Sequence, residues 1–542
     1  MVKRVLAVLA AAVPLAAAVY VPAAWAAPQA APAAAPFSCS APQVKAPAGT
    51  RVESVTAVRQ AGGTIHGTGI LGGTVDGVPA FCDVTVTLAH PGSGDHAKVQ
   101  SWLPVTGWNG RFQGLGGSAF LAGDNGVGLG NAVKSGYAAT TTDAGVGDAL
   151  DTTWALNASG QVDAALLKNF ASRSQHEAAV VGKEVVGALY GKRAAYAYFT
   201  GCSTGGRQGY MEAQRYPGDY DGILADAPAV NWDEFEVATL WPQVVMNNEK
   251  TFPSSCELDA FTQAAVKACD ALDGVRDGLV DDPQRCDFDP RTLIGTSVRC
   301  DGKELTITAA DATVVRKIWD GPRTPSGTKL WAGVPIGASL EGLAHTLPGT
   351  DGTLVGDPFP VPARWVTTWL KKDPSFDVTT ITYGQFTQLF RQSEAEYDTV
   401  IGTDDPDLSA FRDSGGKLLT WHGEADQYIP AQGTVAYRKQ VEARMGGSER
   451  VDDFYRLFLA PGTSHCGLNG IDGSTDGLGA LTAWVEHGDA PRTLPATLTG
   501  ASGRPVTRDL CAYPEVSRYD GHGDPAAASS FHCVPASGHT AR

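Results

Sequence analysis

Gly201-Cys202-Ser203-Thr204-Gly205 is the stretch of this chain that most narrows its fold. It fits G-x-S-x-G, a pattern common by chance, but its flanks make it specific. Residues 194–200 read as a buried strand, and residues 206–216 as a helix stopped by Pro217. A serine in a sharp turn between strand and helix needs a strained backbone, and flanking glycines remove the Cβ clashes of such a turn. Its hydroxyl then stands above a sheet edge, near a helix N-terminus whose dipole favours developing negative charge. The plain alternative is an ordinary glycine-rich turn. Motif and context together make Ser203 the candidate nucleophile.

The surrounding chain repeats the strand-then-helix rhythm. Short apolar runs at 111–115, 137–141, 223–225, 417–421 and 454–459 read as strands, and 162–189 has helical spacing of apolar residues. The segment from Cys39 to Pro104 alternates in Val, Thr and Gly, as short strands joined by turns do. Strands alternating with helices imply an α/β fold around a mostly parallel sheet. Residues 231–404 break the rhythm and read as an inserted lid. The core would then run from 37 to 230 and resume from 405 to 542.

Hydrophobic residues make up 43% of the chain, too many for a disordered one. A net charge of −16 argues against a nucleic-acid partner, which demands a basic footprint. Ten cysteines, an even number, suit disulfides and an oxidising compartment. The N-terminus agrees. Lys3 and Arg4 precede an apolar run from Val5 to Tyr20, and Ala24-Trp25-Ala26 gives a small-x-small cleavage pattern. Residues 1–26 read as a secretory signal, cleaved after Ala26 or Ala27. The alternative is a membrane anchor, but the run is short and interrupted by Pro14. Residues 27–36, all Ala, Pro and Gln, read as a disordered spacer. The expected product is a secreted protein with no membrane partner after cleavage.

A serine nucleophile needs a base and a group to orient it. His465 follows the strand at 454–459 and can take the serine proton. Asp426 follows the strand at 417–421 and can hold the imidazole in the required tautomer. Rivals are Asp226, at the end of the strand 223–225 that follows the serine turn, Glu424, two residues from Asp426, and His422, which also reads as a packed strand-end histidine. Cys202 precedes the serine and Cys466 follows the histidine. If Ser203 and His465 meet, their neighbours come within disulfide reach, about 4.4–6.8 Å between Cα atoms.

Gly201-Cys-Ser-Thr-Gly-Gly-Arg-Gln208, Glu212-Ala-Gln-Arg-Tyr-Pro217 and Asp221-Gly-Ile-Leu-Ala-Asp-Ala-Pro228 together resemble the tannase/feruloyl esterase family. Trp108-Asn-Gly-Arg-Phe112 and Ser464-His-Cys466 extend the likeness over nearly the whole mature chain. The resemblance implies an α/β-hydrolase core with an inserted lid, a Cys202–Cys466 disulfide and the triad Ser203, Asp426 and His465. It also implies an oxyanion hole from the backbone N–H of Thr204 and one from the turn Gly114–Gly117, either Gly116 or Gly117. Activity is expected on esters of phenolic acids, small or in plant cell walls: feruloyl first, galloyl second, and mono(hydroxyethyl) terephthalate third. A non-catalytic secreted binding protein on the same scaffold is the reading from another class.

The resemblance also gives meaning to the acidic run Cys269-Asp-Ala-Leu-Asp-Gly-Val-Arg-Asp-Gly-Leu279. Hard oxygen donors on a tight loop suit Ca²⁺, although no EF-hand pattern is present; alone, the run reads equally as a solvated acidic turn. Family members bind calcium there. Asp270, Asp273 and Asp277 match as side-chain ligands, Val275 and Leu279 as backbone ones, in a structural rather than catalytic site. Cys269 should pair with Cys286 across this loop. By the same resemblance Cys39 pairs with Cys82 and Cys511 with Cys533, leaving Cys256 and Cys300 by elimination. The family's further cysteine soon after Cys300 is missing from Asp301 to Trp319. Three features read as decoys or core. Gly67-Thr-Gly-Ile-Leu-Gly72 fits GxGxxG without a following helix, and His176-Glu177 lacks the second histidine of a zinc motif. Trp365, Trp369, Tyr383 and Phe386 suit a hydrophobic core better than a substrate pocket.

Overall fold

In a computed structural model describing residues 37–69 and 71–536, nine strands pair into one sheet. They are β1 (Arg51–Gln60), β2 (Phe81–Ala89), β3 (Ala97–Pro104), β4 (Arg111–Leu115), β5 (Ala138–Thr142), β6 (Tyr196–Cys202), β7 (Gly222–Asp226), β8 (Lys417–Gly423) and β9 (Tyr455–Ala460). Across the sheet the order is β1-β2-β3-β5-β4-β6-β7-β8-β9. The first four in that order pair antiparallel. From β5 to β9 every neighbour is parallel. This is the α/β architecture that the alternating pattern predicts. The signal segment 1–26 and the spacer 27–36 lie outside the described residues.

The central strands are apolar because helices cover both faces of the sheet. All five residues of β7 are buried. On one face, helices α1 (Ser174–Tyr190), α2 (Thr204–Arg215) and a later helix, Ala431–Met445, bring Val181, Val185, Tyr210 and Val441 into a core with Val86, Phe112 and Phe199. On the other face the helix Gly477–His487 brings Leu481 and Trp484 against Tyr198, Trp421 and Phe458. A third cluster is drawn largely from between β7 and β8, including Trp232, Phe235, Trp241, Trp365 and Phe386, and joined by Phe120 and Phe170. β7 and β8 nevertheless pair directly, Gly222 opposite Lys417. The chain therefore leaves the sheet after β7, builds a separate helical cluster, and returns to the adjacent position.

Element ends differ from the sequence reading by one or two residues, and one difference matters. The helix after the serine starts at Thr204 rather than Gly206, because Ser203 itself takes the turn conformation (φ 65°, ψ −122°). The GxGxxG segment around Gly67 links two antiparallel strands, Gly63–His66 and Thr74–Val78, and is no nucleotide loop. Trp365 and Trp369 stack at 4.9 Å, both fully buried. Five disulfides form: Cys39–Cys82, Cys202–Cys466, Cys256–Cys300, Cys269–Cys286 and Cys511–Cys533. These are the pairs anticipated above, Cys256–Cys300 included.

Candidate active site

Ser203 sits between β6 and α2, its φ in the region that disfavours side chains. Two glycines permit it. A Cβ on Gly201 would lie 2.6 Å from the Gly205 carbonyl carbon, and one on Gly206 would lie 2.4 Å from the Asp226 carbonyl oxygen. The turn is fixed from below, since the Ser203 N–H donates to the Asp226 carbonyl at 3.1 Å.

Asp426, two residues beyond Glu424 in the loop after β8, is fully buried yet anionic. Burial works to raise its pKa, but the charge of His465 and hydrogen bonds from His422 and His465 hold it well below the usual carboxylate range. His465 Nδ1 donates to Oδ2 at 2.7 Å, and His422 Nε2 to the same oxygen at 3.2 Å. The N–H groups of Tyr428 and Ile429 donate to Oδ1 at 2.9 and 2.8 Å. Four donors on one buried carboxylate leave it little freedom to turn. His422 Nε2 also faces the Ile429 carbonyl at 2.8 Å, so it carries the proton, and Nδ1 accepts from Thr434 at 2.9 Å. His422 is thus a buried prop for Asp426. With Nδ1 of His465 committed to Asp426, Nε2 is the nitrogen left for the serine. Ser203 and His465 line one cavity without a hydrogen bond between them, and contacts of this kind commonly tighten only around substrate.

The rivals fall elsewhere. Asp226 is fully buried, burial pushes its pKa well up, and its Oδ1 has no hydrogen-bond partner. Glu424 is also raised by burial, with Asp282 adding repulsion, and lies in a different pocket beside Asp281 and Arg508. Neither hydrogen-bonds to His465.

The oxyanion expectation needs correction. Gly116 N–H donates to the Thr200 carbonyl at 3.0 Å, continuing the pairing of β4 with β6. Gly117 N–H donates to Gln208 Oε1 at 2.8 Å. Both are occupied. Thr204 and Ala119, which line the cavity, keep backbone N–H groups with no acceptor among the described residues. Ala119 has a positive φ of 50°, and its carbonyl accepts from Thr204 Oγ1 at 2.8 Å, pinning this loop to the elbow. Gln208 completes the clamp by donating to the Ala122 carbonyl at 2.8 Å. Gln208 stands in the Gly201–Gln208 motif, and only the folded loop reveals its role.

The cavity has a volume of about 270 Å³ and is mainly apolar, with Leu150, Trp232, Phe235, Phe359, Val361 and Ile429 in its wall. Trp232 is held from behind by Arg207, whose guanidinium carbon lies 5.6 Å from its ring centre and 5.7 Å from that of Phe170. Arg207 has no acidic partner among the described residues, and burial pulls its pKa down to about 9. Its N–H groups donate to the carbonyls of Ala171 and Phe170 and to Thr403. Tyr428 sets its ring edge-on to His465, centres 5.6 Å apart.

The acidic loop lies behind the histidine loop, where the Leu279 side chain fills the space beside Gly462. Asp270 Oδ1 accepts from the N–H groups of Asp277 and Gly278, at 3.0 and 2.8 Å. Asp273 and Asp277 cap Val275 and Leu279 N–H in the same way. The carbonyl oxygens of Val275 and Leu279 accept from no described residue. This donor set, carboxylates and bare carbonyls, fits a hard cation. The side chains are not gathered around one point, however: Asp277 is paired with Arg508, and no three such groups among the described residues stand as a ready metal site.

The sequence profile described as "Tannase and feruloyl esterase" matches residues 82–534. The chain belongs to the tannase and feruloyl esterase family. It is a carboxylic ester hydrolase with an α/β-hydrolase fold. The "Probable feruloyl esterase" of Arthroderma benhamiae is 50% identical, covering 84% of this chain and 86% of its own. The "Mono(2-hydroxyethyl) terephthalate hydrolase" of Piscinibacter sakaiensis is 30% identical, covering 84% and 85%. Among solved structures, the tannin acyl hydrolase from Aspergillus niger superposes with a TM-score of 0.81 at 26% identity, covering 91% and 93%. No helix among the described residues is long and apolar enough to cross a membrane.

Proposed function

We propose that this family member is a secreted serine esterase of phenolic-acid esters, feruloyl esters first. The observation that carries the mechanism is the Asp426–His465 hydrogen bond at the wall of the apolar cavity that also holds Ser203. Ser203 Oγ attacks the ester carbonyl carbon while His465 Nε2 takes its proton. The N–H groups of Thr204 and Ala119 receive the oxyanion, each such donor being worth on the order of 10²–10³ in rate. His465 returns the proton to the departing alcohol. It then activates water against the acyl-serine, and the acid leaves. Asp426 stays ionised throughout and stabilises the imidazolium.

A feruloyl preference is supported by the name of the 50%-identical relative and by a cavity small enough to suit a single ring. Export is supported by the five disulfides and by the signal-like N-terminus. The acidic loop would hold a structural Ca²⁺ through Asp270, Asp273 and Asp277 and the carbonyls of Val275 and Leu279. Comparing kcat/KM on methyl ferulate, methyl gallate and mono(hydroxyethyl) terephthalate tests the preference. Methyl ferulate should lead; a lead for either other ester reassigns the substrate.

A further inference from the structure

α3 (Trp232–Ala238) and its C-cap Thr239 present one face to the active-site cavity: Trp232, Phe235, Glu236 and Thr239, at helical spacings of three, four and seven. Three of these suit an apolar wall. Glu236 does not. It is 3% exposed, it lines the cavity, and none of the described residues hydrogen-bonds to its carboxyl. Among the described residues no lysine or arginine lines the cavity to compensate it. Burial pushes its pKa well above the usual carboxyl value, which favours the neutral acid, a group able to donate and to accept. A buried polar group without a partner costs stability, which makes its place in a substrate cavity informative.

We infer that Glu236 is a specificity-determining residue whose carboxyl hydrogen-bonds a phenolic hydroxyl on the ring of the acyl group. The inference rests on the esterase reading above and names the group that reads the ring. A phenol is matched to it, since it too donates and accepts. A ring carrying a carboxylate instead would bury a negative charge in an apolar cavity whose described lining holds no lysine or arginine, which disfavours terephthalate monoesters. An unsubstituted ring would leave the carboxyl unpaired, and sites built to bond a hydroxyl discriminate against its absence.

The test compares methyl 4-hydroxycinnamate with methyl cinnamate on the full chain carrying Glu236, Glu236→Gln or Glu236→Leu. With Glu236 the kcat/KM ratio should favour the hydroxylated ester by about 10- to 100-fold, the range of one buried hydrogen bond. Glu236→Leu should bring the ratio to about one, whatever the absolute rates, and Glu236→Gln, of the same shape, should retain part of it. The leucine variant should also melt higher, because an unpartnered acid has gone. An unchanged ratio in Glu236→Leu, or no preference with Glu236 present, overturns the inference and leaves the esterase reading intact. The same two esters are titrated calorimetrically into Ser203→Ala with and without Glu236→Leu. A Kd ratio that collapses with leucine supports the role of Glu236, and the same result beside a parent chain that turns over neither ester sinks the esterase reading alone. Failure of both esters to bind overturns both.

Discussion

Cys202 and Cys466, 264 residues apart in sequence, are joined with their Cα atoms 6.1 Å apart, and each is the chain neighbour of a proposed catalytic residue. The bond makes the nucleophile elbow and the histidine loop one covalent unit, so the distance between Ser203 and His465 depends on it. Closing so long a loop is worth about 5–6 kcal/mol in chain entropy on the loop-closure relation. Replacing both cysteines by alanine should lower the melting temperature by several degrees. It should also lower kcat by about tenfold or more at temperatures where the variant is still folded. Circular dichroism and steady-state rates on the same preparation separate the two effects.

Asp426→Asn should lower kcat by about 10³–10⁴, because an amide can no longer hold the imidazole in the tautomer that leaves Nε2 free. KM should change little, since Asp426 is screened from the cavity by His465. Steady-state kinetics with methyl ferulate checks this.

Asp226→Asn should keep kcat/KM within about threefold, because that carboxyl is outside the hydrogen-bond network of His465. Its effect is on stability, and the sign follows from its raised pKa. The folded state holds this proton to higher pH than the unfolded state, whose value is near 3.8. Native stability due to Asp226 therefore falls as pH rises above about 4, over the interval up to the folded pKa. The asparagine variant escapes that loss. Denaturant melts at pH 4 and pH 7 should show its advantage over the parent growing with pH.

Gln208→Leu should leave the sheet intact but loosen the turn 116–122, since the Gly117 N–H loses its partner and the Ala122 carbonyl keeps only Gln175 Nε2, at 2.6 Å. The unsatisfied N–H should cost about 1–3 kcal/mol. With the turn that carries Ala119 held only by Thr204 and Gln175, kcat should fall by about 10- to 100-fold with KM less affected. Urea unfolding and steady-state rates measure both.

Chelation with EDTA should lower the melting temperature, and added Ca²⁺ should restore it, with little direct effect on chemistry at temperatures below the transition. Leu279 beside Gly462 is the contact through which a loosened loop would reach the histidine segment. An unchanged melting curve would count against the calcium assignment.

Much of this site was legible in the chain because local rules and chemistry agree there. A strand, a glycine-flanked serine and a helix can meet in few ways, and histidine and aspartate at strand ends fall at the same sheet edge as the serine. The paired cysteines added a constraint that spans the whole fold. The oxyanion turn was misread because four consecutive turn residues offer similar N–H groups. Which of them are consumed depends on Thr200 and Gln208, contacts that no spacing rule encodes. Glu236 was overlooked for a related reason. On an amphipathic helix an acid normally marks the solvent face, and only the packing of residues from Leu71 to His465 around one space turns that position inward. Trp365 and Trp369 show the converse: aromatic residues, read as core by burial arguments alone, are core.

The central claim is that Ser203, activated by His465, performs covalent ester hydrolysis. The most direct measurement is the rate of methyl ferulate hydrolysis by Ser203→Ala beside the unaltered protein, with both shown to be folded by their melting curves. The serine protein should turn over the ester, and the alanine variant should lose at least about 10³-fold in kcat. Retention of a rate within tenfold of the parent would contradict it.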